Sequence, residues 1–306
     1  MKIDAGWTGW TDLPLRLTGS VLEEVLDGGQ AFRWQRQPGG VWHGAWEGSI
    51  ARLRTAEDRG LQWSAPVSLA PEVGRTLPRY LALETDFPAL AEALPRRTDP
   101  HIAGCIGAFP NLRILRQPIG ETLLCFLFSA AKQIVQIKQM TARIAERHGA
   151  PLGRPPGSER RLPTWAEIAR LTESDLRQCL LGFRARHVHG TARYLAARPG
   201  WLEETESLPY AEAKERLLAL PGVGEKIADC VLLFGAGRLE AFPVDVWILR
   251  AMASRYRLQG WRPAQVAHFG RVHFGPLAGL AQQYLFAYER SVGRNSRPKD
   301  DPVRVL

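Results

Sequence analysis

Cysteine is scarce in this sequence of 306 residues, and the few that occur are far apart. The four are Cys105, Cys125, Cys179 and Cys230. They form no CxxC pair and no compact metal-ligand cluster, which argues against a zinc or iron–sulfur centre. We therefore expect chemistry that needs no metal ion.

The sequence also lacks a long apolar run. Its first ten residues, MKIDAGWTGW, contain no hydrophobic core of a secretion signal, and the most nearly continuous apolar stretch, 123–131, is too short to cross a bilayer. No internal repeat and no heptad pattern occurs. We expect no membrane partner and a cytoplasmic location, associated with the nucleoid if the source is prokaryotic.

Acidic residues are fewer than basic ones, at 31 against 40, which gives a net charge of +9 and a pI near 9.8. This excess favours a polyanionic partner such as nucleic acid, although charge alone is equally compatible with an incidental basic surface. With 45% apolar and 23% charged residues, the chain has an ordinary globular composition and is long enough for two domains.

The patterning predicts an α+β protein with an N-terminal antiparallel-sheet domain (1–97), a helical domain (98–291) and a frayed tail (292–306). Alternating, β-prone segments separated by Gly, Pro and Asp turn signals predict the sheet; they lie at 31–35, 40–49, 49–55 and 61–65. Four tryptophans in this domain, Trp34, Trp42, Trp46 and Trp63, are expected to pack in its core.

Apolar residues at helical spacing predict a helix over 77–94 and a series of helices after residue 100. The series comprises 101–108, 118–131, 132–148, 163–170, 173–181, 184–197, 210–220, 224–235, 245–257, 262–272 and 276–291. The Pro-, Gly- and Arg-rich segment 150–163 is predicted to be a loop.

The stretch 220–249 carries the most specific pattern. An amphipathic helix ends at the turn Pro221-Gly222-Val223-Gly224, and a second helix begins at once. The two glycines permit positive φ and a close approach of the backbone to another molecule. The free N–H groups of the second helix then form an anion site suited to a phosphate. This is a helix–hairpin–helix arrangement.

Lys226 lies in the first turn of that second helix. A lysine in such a position is usually a solvated charge, but apolar neighbours and the positive helix end favour the neutral amine here. A neutral amine is a nucleophile that forms a Schiff base with a sugar C1′.

Asp245 follows Pro243 at the start of another helix, where it is expected to be an N-cap. Capping N–H groups favour the ionised carboxylate, so the group is expected to stay charged. A rigid carboxylate at this place also suits stabilisation of an oxocarbenium ion or proton transfer at the attacking amine.

Six segments, in order, resemble the helix–hairpin–helix–Gly/Pro–Asp DNA glycosylases, and most of all the eukaryotic-type 8-oxoguanine DNA glycosylase/AP lyases. They are GGQAFRW (28–34), LLCFLFSAAKQI (123–134), LGFRARHV (181–188), ALPGVGEKIADC (219–230), FPVDVW (242–247) and GLAQQYLF (279–286). The lysine marks the bifunctional branch. The missing cysteine cluster separates the chain from the endonuclease III and adenine-glycosylase branch.

The resemblance implies that Lys226 is the Schiff-base nucleophile and Asp245 its catalytic partner. It also implies a lesion pocket of four residues. These are Gly29, whose carbonyl accepts the N7–H of 8-oxoguanine, Cys230 and Phe286, which sandwich the flipped base, and Gln282, which reads its Watson–Crick edge. Singly, each is better explained as a turn, core or surface residue, but their joint occurrence in this order beside Lys226 and Asp245 favours the pocket. Gln283 matches no functional position.

The resemblance further implies that Gly222 and Gly224 bind the DNA backbone, that Phe183 is an aromatic wedge, and that Arg184 holds the orphaned cytosine. When a base is flipped out, an apolar side chain must fill the gap in the stack and a polar side chain must hydrogen-bond the orphaned base. Where the family has an Asn-rich run, this chain has Ala131, followed by Lys132 and Gln133. Alanine cannot hydrogen-bond a cytosine, so Lys132 and Gln133 are the candidate substitutes.

Trp247 stands where the family's 8-oxoguanine enzymes have a histidine that touches the lesion's phosphate. It is a candidate DNA contact that packs, stacks on a base or shapes the pocket. Together with Ala131, it leaves open a broader lesion range, as in the alkyladenine-type relatives.

The interpretation we favour is an enzyme that flips 8-oxoguanine out of duplex DNA, attacks C1′ with Lys226, and then cleaves the abasic strand. Two alternatives remain. One is a monofunctional glycosylase of the same fold for alkylated bases such as 3-methyladenine, and the other is a DNA-binding module without catalysis. The expected partner is damaged double-stranded DNA, bound by a monomer. No cofactor is expected, except for a monovalent cation at the hairpin carbonyls.

Overall fold

The computed structural model describes residues 6–153 and 159–295, and it begins with one small antiparallel sheet. Its strands are β1 (Thr11–Asp12), β2 (Trp34–Arg36), β3 (Trp42–Trp46), β4 (Ser49–Ala56) and β5 (Gly60–Ser64). Their order is β1-β5-β4-β3-β2, and every neighbouring pair is antiparallel. The predicted α+β class is confirmed, and each predicted strand segment overlaps an observed strand.

Helices make up the rest of the described chain. They are α1 (Gly19–Asp27), α2 (Ala70–Tyr80), α3 (Phe87–Glu92), α4 (Pro100–Ala108), α5 (Ile119–Phe128), α6 (Ile134–His148), α7 (Trp165–Ile168), α8 (Glu173–Leu176), α9 (Arg184–Ala196), α10 (Trp201–Ser207), α11 (Tyr210–Leu218), α12 (Glu225–Phe234), α13 (Val246–Arg255), α14 (Pro263–Phe274) and α15 (Ala278–Asn295). A π-helical turn, Arg177–Leu181, follows α8. Every helix predicted after residue 100 overlaps one of these.

Three of the four tryptophans of the sheet domain lie in its core, as predicted. Trp34, Trp42 and Trp46 are buried, and Trp63 is half-buried against the same core. Trp34 stacks on Trp46 with ring centroids 6.0 Å apart, and its indole N–H donates to the Tyr80 hydroxyl over 3.0 Å. The period of two along the strands places these rings on one face, where α2 covers them.

The predicted helix over 77–94 is wrong, because α2 ends and α3 begins within it. Ala82 has a φ of +48°, which no helix can contain. Arg113 stabilises this break: its Nε donates to the Leu81 carbonyl over 2.7 Å, and its Nη2 donates to the Ala82 carbonyl over 2.6 Å. The contact spans about thirty residues of sequence, so the local pattern could not show it.

Three further differences concern helices and the ends of segments. Helix α1 has a usable signal that the prediction overlooked, since Thr18 caps it and its apolar residues recur at helical spacing. Helix α10, which was not predicted, is short and has three glutamates in seven residues, so its apolar periodicity is weak. Helix α15 continues past residue 291, where the helical domain was predicted to end. The remaining tail, 296–306, and part of the predicted loop, 154–158, lie outside the described residues.

Helix α5 runs through the middle of the protein and leads to the site. Its residues from Thr122 to Phe128 are all buried, and a helix that is apolar on every side requires neighbours on every side. It packs against α12, where Phe126 stacks on Phe234 with centroids 5.5 Å apart. Its carboxyl end therefore lies beside the first turn of α12. None of the helices described is both long and apolar enough to span a membrane.

Replacing Arg113 with methionine is expected to destabilise the protein by about 2–3 kcal/mol, because two buried carbonyl groups lose their charged donor. Burial lowers the pKa of Arg113 to about 10, so the guanidinium still carries its charge at neutral pH. Urea unfolding measures the change. Arg75→Met is the control: it breaks only the exposed pair with Glu72 and should leave the free energy of unfolding near the wild-type value. An equal loss in both variants would contradict the role given to Arg113.

Candidate active site

The turn between α11 and α12 is pressed against α9. Gly222 has a φ of +79°, and a Cβ atom at this position would lie only 2.5 Å from the Cβ of His187. Beside it, the Thr191 hydroxyl donates to the Pro221 carbonyl over 3.0 Å. Glycine is therefore required at 222 both by the backbone conformation and by the close approach of α9.

Gly224 plays a different part from the one predicted. Its φ is −107°, so it is extended rather than left-handed, and a Cβ atom there would meet nothing within 4 Å. Gly224 is the N-cap of α12 and provides no side-chain cap. The cap therefore leaves the first N–H groups of α12 without a side-chain acceptor from residue 224, and such N–H groups suit a phosphate.

A buried ion pair, which the sequence did not reveal, holds α11 to α12. The Lys214 ammonium lies 3.0 Å from the Asp229 carboxylate and 2.7 Å from Glu225. The Tyr210 hydroxyl also donates to Asp229, over 2.7 Å. Burial would lower the pKa of Lys214, but the Asp229 and Glu225 carboxylates together outweigh it and raise that pKa, so the lysine keeps its charge. The pair draws Glu225, the acidic residue of the first turn, away from the anion site.

Lys226 reaches from α12 to the carboxyl end of α5. Its Nζ donates to the Ser129 hydroxyl over 3.2 Å and lies 4.9 Å from the centre of the Phe126 ring. Ser129 in turn donates to the Phe126 carbonyl over 2.7 Å, so its oxygen is oriented to accept from the amine. The reactive nitrogen is therefore held at a fixed place, and Ser129 is a partner that the sequence reasoning missed.

Asp245 is the N-cap of α13, as predicted. Its Oδ1 accepts the N–H of Ile248 over 2.9 Å. Burial nevertheless raises the pKa of this carboxyl above its usual value, against the opposing effects of the Ile248 N–H and the charges of Lys226 and Arg290. The expectation that capping alone would dominate the titration is wrong, because removal from water is the larger effect. Lys226 and Asp245 are close enough for their charges to interact.

Gly29 and Phe286 meet although 257 residues of sequence separate them. Gly29 has a φ of +111°, and a Cβ there would lie 3.8 Å from Phe286 and 3.1 Å from Ile134. Cys230 lies on α12, one turn after Lys226, and is buried. Burial raises the pKa of its thiol to about 12, so the group is neutral and suited to contact with an apolar ring face.

Gln282 and Gln283 form a buried amide pair on α15. The Gln282 amide nitrogen donates to the Pro243 carbonyl over 3.1 Å, and its oxygen accepts from the amide of Gln283 over 2.6 Å. Gln283, to which no function was assigned, therefore orients Gln282. The chain segment that leads into Asp245 is tied to the same pair.

Arg290 joins the last helix to the N-terminal domain. Its guanidinium donates to Glu24 over 2.8 Å and to the carbonyl of Gly28, and it lies 5.2 Å from the Phe286 ring centre. Arg290 thereby fixes the backbone next to Gly29 and covers Phe286. No local motif marks it, because its partners are about 260 residues away.

Four of the residues predicted to contact DNA lie in the turn after α5 and at the start of α9. Phe183 is exposed, whereas Arg184 is buried against it, with its guanidinium carbon 4.3 Å from the ring centre. Arg184 donates to the Ala130 carbonyl, in the turn that also holds Lys132 and Gln133. Both of these last residues are exposed. Arg184 thus connects the two segments.

Trp247 is half-buried and packs on the last helix. A Cβ atom at Gly293 would lie 2.9 Å from the Trp247 ring, so the missing side chain of Gly293 makes room for it. Of the three possibilities considered for Trp247, the structure supports packing. Within 6–153 and 159–295, no three His, Cys, Asp or Glu residues are placed to hold a metal ion.

Two family models match consecutive parts of the chain. The 8-oxoguanine DNA glycosylase N-terminal domain matches residues 13–123, and the HhH-GPD superfamily base excision DNA repair protein matches residues 124–271. The two models meet inside α5.

Known proteins match over most of the chain. The Clostridium acetobutylicum 8-oxoguanine glycosylase/lyase, solved with double-stranded DNA containing cytosine opposite 8-oxoG, has a TM-score of 0.82 and 32% identity, covering 89% of this chain and 92% of that one. The N-glycosylase/DNA lyase OGG1 of Arabidopsis thaliana is 29% identical over 93% of this chain and 81% of its own length.

The 3-methyladenine DNA-glycosylase from Archaeoglobus fulgidus has a TM-score of 0.72 and covers 93% of this chain and 99% of that one. At 19% identity it shows the shared fold alone. The chain belongs to the HhH-GPD superfamily of base excision DNA repair proteins and, within it, to the 8-oxoguanine DNA glycosylase family.

Proposed function

We propose that this protein is a DNA glycosylase that removes 8-oxoguanine from double-stranded DNA and then cleaves the abasic strand as a lyase. The observation that carries the proposal is the placement of Lys226, held by Ser129, within charge interaction of Asp245. Of the relatives that align with most of the chain, one is named an N-glycosylase/DNA lyase and another an 8-oxoguanine glycosylase/lyase. The alkylated-base alternative is less supported, because its relative shares only the fold.

Binding and flipping use the DNA-facing residues. The open N-terminus of α12 at Gly224 binds a backbone phosphate, and the positive charge of the chain supplies attraction to the duplex. Phe183 enters the stack where the lesion has left, and Arg184 donates to the orphaned base. Because Ala131 has no polar side chain, Lys132 and Gln133 would supply any further contact to that base.

The flipped base is read in the pocket between the sheet domain and α15. The Gly29 carbonyl accepts the N7–H that 8-oxoguanine has and guanine lacks. Phe286 and Cys230 contact the two faces of the ring, and Gln282, fixed by Gln283, faces its Watson–Crick edge. One hydrogen bond is a modest energy difference, so the pocket shape must contribute to rejection of guanine.

Catalysis begins when the Lys226 amine attacks C1′ and the bond from C1′ to the base nitrogen breaks. The base leaves with the bonding electrons and takes a proton. Asp245 stabilises the positive charge that develops on the sugar and accepts a proton from the attacking nitrogen. The sugar ring then opens to a Schiff base, loss of a C2′ proton expels the 3′ phosphate, and water releases Lys226.

Further parts of the proposal concern assembly and surroundings. A monovalent cation at the hairpin would be held by backbone carbonyls. Since the carbonyls of Leu220, Pro221 and Gly224 each accept a hydrogen bond, the Gly222 carbonyl is the better ligand. We also propose a monomer in a reducing cytoplasm, consistent with four free, buried cysteines. The domain boundary at residue 97 remains a prediction.

Replacing Lys226 with glutamine is expected to abolish strand cleavage and to lower the excision rate by about a thousandfold, because the nucleophile is lost. Asp245→Asn should lower excision similarly, with duplex affinity close to wild type. Single-turnover excision and gel cleavage assays measure both steps. Lys138→Gln is the control, since Lys138 pairs with Asp27 outside the site. Strand cleavage that survives in Lys226→Gln would exclude the lysine mechanism.

Gly29→Ala is expected to lower kcat/KM on 8-oxoguanine by about a hundredfold, because a shift of the carbonyl by about 1 Å costs this much. The alanine is disfavoured at φ +111° and its Cβ would press on Ile134. Gly39→Ala is the matched control: Gly39 also has a positive φ, but a Cβ there meets nothing within 4 Å. A similar loss of activity in both variants would show a general effect on folding instead.

The excision rate is expected to rise with pH along an acid limb. The midpoint of this limb should lie above 3.8, the usual pKa of an Asp carboxyl. Burial raises the pKa of Asp245, and the reaction needs its ionised form, so a higher pH is required to reach that form. Arg290→Gln removes a charge that lowers this pKa and should move the limb to higher pH. Arg255→Gln, which breaks an exposed pair with Glu289, should leave it in place. If the acid limb of the pH profile does not move in Arg290→Gln, ionisation of Asp245 is not its cause.

A further inference from the structure

Leu180 is a large apolar side chain that faces solvent. Its exposed fraction is 58%, and that of Phe183, three residues later, is 54%. The residues on either side of Leu180, Cys179 and Leu181, are fully buried. The buried side chains of Cys179 and Leu181 therefore anchor this loop, and the Leu180 side chain lies in solvent.

The backbone at Leu180 is in a conformation that leucine disfavours. Its φ and ψ are +67° and +14°, inside a π-helical turn, and Gly182 follows with a φ of +54°. A bulky residue in the left-handed region is an outlier that surrounding structure must impose. Burial of the side chain does not explain it, because the side chain is exposed. Strain of this kind concentrates at sites that bind a ligand.

The loop that bears Leu180 is fastened to the DNA-facing turn. Arg184, one residue after Phe183, donates to the Ala130 carbonyl, and the next residue, Ala131, is also left-handed at φ +51°. On the other side, Arg147 of α6 donates to Gln178 within the π-helical turn. Leu180 and Phe183 are thus held in one rigid unit with the turn that carries Lys132.

We propose that Leu180 is a second apolar wedge, which enters the duplex beside Phe183 at the base step next to the flipped nucleotide. Leucine and phenylalanine are the kinds of side chain that unstack base steps and kink DNA. Two wedges in one unit fill more of the vacated stack than one, and they compensate for Ala131, which fills little. This inference rests on the proposed function, since it assigns Leu180 to the flipping step of that reaction.

Three variants separate the wedge from the backbone strain. Leu180→Gly and Leu180→Ala both remove the apolar side chain, but only glycine relieves the left-handed conformation. Leu180→Met keeps an apolar side chain. Val272→Ala is the control, because Val272 on α14 is 70% exposed and lies outside the loop. Each variant is assayed for thermal unfolding and for single-turnover excision.

Two substrates report the flipping step: 8-oxoguanine paired with cytosine, and 8-oxoguanine opposite an abasic site, where unstacking is already easier. On the paired substrate, the excision rates of Leu180→Gly and Leu180→Ala should both be at least about fivefold lower than that of wild type. The rates of Leu180→Met and Val272→Ala should stay near wild type. On the abasic substrate the loss should be less than about twofold. Leu180→Gly should unfold at a temperature no lower than wild type, despite its lost activity.

The proposal is overturned if Leu180→Gly excises the paired lesion at the wild-type rate, or if its loss is the same on both substrates. It is also overturned if activity follows the unfolding temperature across the three variants. These outcomes differ from failure of the proposed function, in which wild type itself would not excise 8-oxoguanine from either substrate.

Discussion

The packing of α12 against α5 is the contact on which the site depends. The stacked Phe126 and Phe234 rings fix the two helices side by side, and Ser129 at the end of α5 then meets Lys226 in the first turn of α12. On the opposite flank, the Lys214–Asp229 pair holds α12 to α11. The amine is therefore held between two rigid helices, which is the preorganisation that attack on a sugar carbon requires.

The lesion pocket depends on a contact between the two ends of the chain. The sheet domain supplies Gly29 after α1, and the last helix supplies Phe286 and Gln282. Arg290 joins them through Glu24 and the Gly28 carbonyl. Its charge also acts on Asp245. One buried arginine thus connects the recognition of the base to the titration of the catalytic carboxyl, although it touches neither the flipped base nor the sugar in the proposed mechanism.

Lys226 and Asp245 could be selected from the sequence because each combines a rare local pattern with a residue type that suits the proposed chemistry. Lys226 follows a glycine hairpin, and Asp245 follows a proline at a helix start. Gly29 and Phe286 needed the family resemblance, since nothing in either segment indicates the other. Ser129, Gln283 and Arg290 were missed, because their importance comes from contacts across the fold.

The same distinction between local patterns and contacts across the fold explains the errors in the fold prediction. Alternation and helical spacing located most strands and helices, but the break between α2 and α3 depends on Arg113, which lies outside that stretch. The titration of Asp245 was misjudged for a similar reason. A cap is visible in the sequence, whereas the burial that outweighs it follows from packing of the whole domain.

The central claim is that catalysis passes through a covalent bond between Lys226 and C1′ of the damaged nucleotide. The most direct test is mass spectrometry of the wild-type enzyme after reaction with an 8-oxoguanine duplex in the presence of borohydride, which reduces the Schiff base to a stable amine. The account expects the sugar remnant on the peptide that contains Lys226. An active enzyme with no adduct, or with the adduct on another lysine or on the terminal amine, would contradict it.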